Sequence, residues 1–374
     1  MRDTVVLHPG LGVCHLLPMV ELSGLFLRHG LAVTIVVVES PAASTDASTA
    51  VARAAEANPS VNFHVLPLPP PDTTVSPEPP SDPFALLRLA NAPLRDYLRS
   101  VAPSASVRAL PAASPSACPH KQAEVNASFG DIGDAPLCFP GVPPFIPTDL
   151  PENALDRDNK VYRKFMYTFE RVPACHGILV NTFEWLEAKA VTALRDGACV
   201  PDRPTPPVYC VGPLVSGGGE VKNTKHECLA WLDAQPENSV VLLCFGSMGS
   251  FPKKQLEAMF VTHCGWNSVL EGIAAGVPLL CWPLYAEQRL NKVFMVEEAR
   301  VGVEMAGYDR EVVTAEEVEA KVRGVMDSDD GRALRVRAMV AKEKALEALQ
   351  QGGTSHNALL EFLADLGFDD CASH

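Results

Sequence analysis

Two short constellations in this 374-residue chain have residue types and spacing suited to chemistry. The first is Gly10-Leu-Gly12-Val-Cys-His15, directly after the apolar run Thr4–Leu7. A glycine turn after a strand opens the cleft above the C-terminal strand ends, where open α/β sheets bind ligands. His15 there has two readings: a helix-capping residue in a glycine turn, or a neutral imidazole placed to deprotonate a hydroxyl. Gly10, Gly12 and Glu39 also mimic a dinucleotide fingerprint, but His15 stands where its third glycine belongs.

The second constellation runs Phe260-Val-Thr-His263-Cys-Gly-Trp266-Asn267-Ser268-Val-Leu-Glu271 and continues through Pro278 and Pro283 to Glu287 and Gln288. It reads as strand, polar turn and helix N-terminus. Asn267 or Ser268 is the expected N-cap. The amides and positive dipole at such an end form an anion site suited to a pyrophosphate. Glu271, one turn into the helix, is placed to accept from paired hydroxyls such as those of a ribose. The competing reading is a capped core helix with Trp266 as packing.

The elements that must position these residues follow an α/β rhythm. Strands are expected at Thr4–Leu7, Ala32–Val38 and Val61–Leu66, with helices at Pro18–His29 and Phe84–Ser100. Strand, helix, strand at this spacing is a βαβ unit, which implies a parallel sheet. Proline-rich stretches at Pro67–Pro83 and Ala135–Pro151 are loop. Helices at Asn159–Val172 and Phe183–Arg195 flank a strand at Gly177–Asn181. Val200–Val221, with five prolines and a triple glycine, is the expected connection between domains. Beyond it come strands at Ser239–Phe245, Phe260–His263 and Val277–Trp282. Helices are expected at Lys253–Met259, Ser268–Ala275, Glu316–Met326 and Arg332–Gln350. The predicted division is 1–207, a linker at 208–221, 222–351, and a tail at 352–374.

Composition bounds the function classes. With 31 Lys and Arg against 45 Asp and Glu, the net charge of -14 argues against nucleic acid as a partner. Hydrophobic content of 47% is that of a soluble globular protein, and no run reaches the ~20 apolar residues of a membrane span. Eleven cysteines without zinc-type spacing suit free thiols in a reducing compartment, so a cytoplasmic protein is expected, and it is expected to be a monomer.

The run from Phe260 to Gln288 resembles the last two-thirds of the plant secondary product glycosyltransferase signature. Further matches lie in order along the chain: the Gly10–His15 loop with Pro18-Met19, Asn181-Thr-Phe183-Glu184, Val211-Gly-Pro213, Phe245-Gly-Ser247 and Gly352-Gly353. The chain is similar to plant family 1 UDP-glycosyltransferases, such as those acting on flavonoids, anthocyanidins or hydroquinone. That resemblance implies an α/β fold of GT-B type, two facing Rossmann-like domains with the UDP-sugar held mostly by the C-terminal one. It implies that His263 contacts the diphosphate, with Ser247, Asn267 and Ser268 nearby. Trp266 and Glu271 would hold the nucleoside, and Glu287 and Gln288 the sugar hydroxyls, with UDP-glucose as the donor suggested by Gln288. His15 would be the general base for an inverting transfer to a small phenolic aglycone. No cofactor and no metal are implied.

The resemblance breaks twice. After Val107–Leu110 the family continues into a strand and an aspartate that orients the catalytic histidine, whereas here Pro111 follows, and neither Asp131 nor Asp134 is promoted to that role. Between Met259 and Phe260 the family carries further strands and the opening third of the signature, whose Trp stacks on uracil. Both domains are therefore expected to lack internal segments. Three functions follow: a UDP-glucose-dependent O-glycosyltransferase, a catalytically impaired remnant or splice form with at most weak UDP-sugar binding, and, remotely, a nicotinamide-dependent oxidoreductase.

Overall fold

The computed structural model describes residues 3–10, 13–38, 45–68, 83–101, 127–198, 203–215, 230–231, 234–235, 242, 244–246, 262–309 and 312–368. Glu39, Ser247, Val107–Leu110 and Lys253–Met259 lie outside the described residues. Two compact units are distinguished: Met1–Ala109 with Leu214–Ser216 and Leu363–His374, and Leu110–Pro213 with Gly217–Phe362.

In the first unit β1 (Thr4–Leu7), β2 (Ala32–Val38) and β3 (Asn62–Leu66) form one sheet in that order. Both pairings are parallel, with Thr4 opposite Ala32 and Thr34 opposite Asn62. β2 is a nearly unbroken apolar run, the pattern of a strand covered on both faces, and Ile35 and Val36 are fully buried. Helix α1 (Val13–Arg28) starts ahead of the expected Pro18. Leu16, Leu22 and Phe26 share its buried side, so burial of Leu16 carries the helix upstream and the proline is tolerated within it. Helix α2 (Thr45–Ala57) was not expected, because its Ala, Ser and Thr give little apolar periodicity. Helix α3 (Pro83–Val101) brings Ala90, Leu94 and Tyr97 against Val36, Val38 and Leu66.

The second unit contains β4 (Ile178–Val180) and β5 (Val208–Cys210), paired in parallel, and a second parallel pair, β6 (Leu279–Cys281) and β7 (Gly302–Glu304). β5, inside the stretch read as a connection, is a fully buried strand. Of the strands expected at Ser239–Phe245 and Phe260–His263, the described residues show single parallel bridges, Cys244 to Thr262 and Thr262 to Cys281. These extend the β6–β7 pair into four consecutive parallel segments. Helix α4 spans Lys160–Phe169, with Asn159 as its N-cap. Helix α5 (Ala188–Arg195) begins five residues later than Phe183, because the chain turns first to bury Phe183 while Trp185 stays exposed.

Helices α6 (Trp266–Ala275), α7 (Gln288–Val293), α8 (Ala315–Asp327), α9 (Asp329–Leu349) and α10 (Thr354–Asp365) complete the chain. Val293 of α7 packs into an aromatic cluster of Phe129, Phe139, Phe145 and Tyr162, so residues from before β4 share a core with those that follow β6. α9 packs on α6 and buries Ala338, Ala341, Ala345 and Ala348.

Candidate functional site

The site begins where the Thr262 segment ends. Thr262 is held in the sheet by its amide to the Leu280 carbonyl at 3.0 Å and by its own carbonyl, which accepts from Trp282 at 2.9 Å. Two residues later Cys264 adopts φ 64°, a left-handed conformation unusual for a side chain with a Cβ. The buried turn is clamped on both sides: Thr262 Oγ1 accepts the Cys264 amide at 3.1 Å, and Asn291 Nδ2 donates to the Cys264 carbonyl at 2.8 Å. Helix α6 then starts at Trp266 with Gly265 as N-cap and no side chain closing the end. The N-cap expected at Asn267 or Ser268 is therefore two or three residues too late, and both lie inside the first turn. The first amides of a helix have no acceptor one turn back, so this end favours an anionic ligand.

His263 is 7% exposed and lies between two glycines. A Cβ on Gly265 would stand 2.4 Å from His263 Nε2, and one on Gly246 would stand 2.7 Å away. Only bare backbone on both sides makes room for the ring. Its Nδ1 faces the Cys244 carbonyl at 3.2 Å. Cys244 Sγ lies 3.4 Å from Ser268 Oγ.

The imidazole and the thiol set one another's protonation. Hydrogen bonding to His263 holds the Cys244 thiol down at about 7 against burial, helped by Ser268 and the Gly246 backbone. Burial opposes charge on His263, but the hydrogen bonds and charge of Cys244 and the charge of Glu287 outweigh it and raise the imidazole. Partial burial raises the Glu271 carboxyl, opposed by His263. His263 thus feels both Glu271 and Glu287, and the loop, the start of α6 and the start of α7 converge on it.

The remaining expected residues divide. Gln288 is 3% exposed, and its Oε1 accepts the Leu284 amide at 2.8 Å and the Tyr285 amide at 3.0 Å. Trp266 donates its indole N–H to the Asn181 carbonyl at 2.8 Å and tilts against Phe294, so the polar atom of that ring ties α6 to the end of β4. Asn267 is half-buried in the first turn, and Glu271 is exposed on α6. His15 lies in the first turn of α1, exposed, in the first unit. Asp131 and Asp134 are exposed around the turn Phe129–Ile132.

Sequence reasoning did not find three participants. Cys244 is the thiol beside His263. Asn291 holds the turn. Lys292, 7% exposed, is a buried cation between Asp149 at 3.4 Å and Glu304 at 3.1 Å. Burial works against its charge, and Asp149, Tyr308 and Glu304 together raise it. Asn291, three residues after Gln288 on one helix, could have been picked out from that spacing.

A glycine-walled imidazole lies at a helix N-terminus with no side-chain cap, at the end of parallel strands, an arrangement suited to a phosphorylated ligand on an α/β scaffold. Residues 251–341 match the family model described as UDP-glucoronosyl and UDP-glucosyl transferase. An anthocyanidin 5,3-O-glucosyltransferase of a Rosa hybrid cultivar is 33% identical over 467 aligned positions, 94% of this chain and 96% of that protein. A phloretin 2'-O-glucosyltransferase of Pyrus communis is 31% identical over 98% of this chain and 100% of its own length. Among solved structures, Phytolacca americana UGT2 complexed with UDP-2fluoro-glucose and pterostilbene superposes with a TM-score of 0.84 at 25% identity, covering 98% of this chain and 100% of that one. A Polygonum tinctorium UDP-glucosyltransferase capable of glucosylating indoxyl gives 0.82 at 25% identity, over 98% and 99% of the two chains. The chain belongs to the UDP-glycosyltransferase family, with an α/β fold of GT-B type. The alignment of 467 positions exceeds the 374 residues of the chain, so at least 93 positions of it face gaps here.

Proposed function

We propose that this chain binds UDP-glucose at the His263 turn and transfers glucose to a hydroxyl of a small phenolic acceptor. The observation that carries the reading is the His263 Nε2 atom held between Gly246 and Gly265 at the open end of α6. A diphosphate there meets an imidazole raised above its ordinary value and a helix dipole, two sources of positive potential. Glu271 and Glu287, whose charges His263 feels, offer acceptors for ribose and sugar hydroxyls, and Gln288 follows Glu287 at the start of α7. The relatives named for anthocyanidin and phloretin, and the structure solved with a fluorinated UDP-glucose and pterostilbene, support the donor and acceptor classes.

In this reading His15 takes the proton of the acceptor hydroxyl. The freed oxygen bonds to the anomeric carbon as its bond to the UDP oxygen breaks, which inverts that centre. The negative charge arriving on the departing diphosphate is stabilised by His263 and the amides of α6, electrostatic help aimed at charge that develops during the reaction.

A second reading, donor binding with little or no turnover, is favoured by the shortfall of aligned positions and by the absence of a sequence counterpart for the aspartate that should orient His15. One experiment separates the two. The purified chain is titrated with UDP-glucose by calorimetry and assayed for transfer to quercetin, alongside His15→Ala. Turnover that His15→Ala lowers by about 10²–10⁴-fold, with UDP affinity retained, establishes the transferase. Binding without turnover establishes the second reading. A chain that neither binds nor unfolds cooperatively overturns both.

A further inference from the structure

We propose that Asn291 is a positioning residue for the diphosphate turn: its Nδ2 donates to the Cys264 carbonyl at 2.8 Å and holds the left-handed residue that aims His263 between Gly246 and Gly265. The proposal rests on the donor-site reading above and adds a residue that touches no ligand.

The argument starts from strain. A buried cysteine at φ 64° occupies a conformation that its own Cβ disfavours, so the surroundings must fix it there. Two bonds do so. Thr262 Oγ1 takes the Cys264 amide, but Thr262 belongs to the strand on which the turn is built, and this bond is local to the turn. The second bond comes from 27 residues away and is the one of the two that ties the Cys264 backbone to another element. With the Cys264 side chain fully buried, a carbonyl deprived of its donor would be left facing protein, and the cheapest response is rotation of the peptide. Rotation there changes the direction of His263 on one side and the start of α6 on the other.

The helix that supplies Asn291 has a second task. Gln288, three residues earlier and on the same face, accepts the amides of Leu284 and Tyr285 through Oε1. Helix α7 therefore fastens two turns at once, His263–Gly265 through Asn291 and Leu284–Tyr285 through Gln288. In the proposed site these are the turns next to the diphosphate and next to the sugar, so Asn291 fixes the spacing between those two parts of the donor. The chemistry is specific to an uncharged amide. Asp has the same shape, but when ionised it offers an oxygen to a carbonyl oxygen and no proton.

The test uses the full chain as wild type, Asn291→Ala and Asn291→Asp, titrated calorimetrically with UDP. Alongside, the pH dependence of iodoacetamide alkylation at Cys244 is followed by peptide mass mapping. The expected result is UDP affinity about tenfold lower for Asn291→Ala and lower again for Asn291→Asp, in line with loss of one buried hydrogen bond. The midpoint for Cys244 should rise in both variants, since His263 is no longer held beside it. A residue that only stabilises the fold would lower the melting temperature and leave that midpoint in place. UDP affinity within twofold of wild type in a folded variant overturns the proposal. If wild type binds no UDP, the donor-site reading falls by itself, and an unchanged Cys244 midpoint then overturns the role of Asn291 separately. Should Asn291→Ala not fold, Asn291→Asp, with its matching volume, carries both readouts.

Discussion

Adding one methyl group at Gly265 should disable the diphosphate turn while leaving the fold intact. Gly265 sits at φ -60° and ψ 138°, a backbone conformation that alanine adopts readily. An alanine N-cap in place of glycine costs at most about 1 kcal/mol of stability. The damage is local: the new carbon would stand 2.4 Å from His263 Nε2 and 3.1 Å from Cε1. Nonbonded heavy atoms rest at about 3.5 Å, so the ring has to retreat by about 1 Å. Its Nδ1 already lies 3.2 Å from the Cys244 carbonyl, and a retreat of that size removes the bond unless the ring pivots about it. Displacements of about 1 Å at a reacting centre cost about 10²-fold, and UDP affinity should fall by between ten- and a hundredfold. Calorimetric titration with UDP and a melting curve for Gly265→Ala check this together. Wild-type affinity in a folded Gly265→Ala protein would show that His263 does not contact the diphosphate.

Further outcomes follow from the same structure. The Cys244 thiol, lowered to about 7 chiefly by its hydrogen bond to His263, should be alkylated with a midpoint near that pH, while Cys210, pushed up to about 12 by burial, stays unreactive at pH 8. Because the folded-state value of Cys244 is depressed, its contribution to stability is present above the ordinary thiol value and is lost as pH falls through about 7. His263 is raised, so its contribution is present below its ordinary value and is lost as pH rises through the folded one. Cys244→Ser should accordingly flatten the rise in melting temperature above pH 7, and an unchanged slope would contradict the pairing. Lys292→Met strands the Asp149 carboxylate, whose side chain is 9% exposed, and should destabilise by about 3 kcal/mol in urea unfolding. Adding Asp149→Asn should restore more than half of that loss, and a cost below about 1 kcal/mol for the single variant would mean that the charges are well solvated.

The sheet of the first unit was legible in the sequence because β2 is seven residues of almost pure apolar character and its neighbours lie at βαβ spacing. Val208–Cys210 was hidden by the prolines around it, since three residues give no period to read. The strand, turn and helix of the His263–Gln288 segment were legible, yet the helix cap was misassigned. Asn267 and Ser268 are better cap formers than glycine, but a side chain at Gly265 would collide with His263, a constraint that exists only in three dimensions. Asn291 and Lys292 were missed for the opposite reason. Each looks like an ordinary polar residue on a short helix, and the partners that give them meaning are 27 and 143 residues away.

Those distant partners have a consequence for how the protein is made. The buried bond from Lys292 to Asp149 and the one from Ser355 Oγ to the Gly212 carbonyl each span 143 residues. At elongation rates of about 5–20 residues per second, about seven to thirty seconds separate synthesis of the two ends of each bond. Throughout that interval Phe129, Phe139 and Phe145 wait on the ribosome-bound chain without Val293, which packs into their cluster. The second unit therefore cannot close domain-first from its leading end. It closes late, and its aromatic cluster is the surface for which a holdase chaperone would compete.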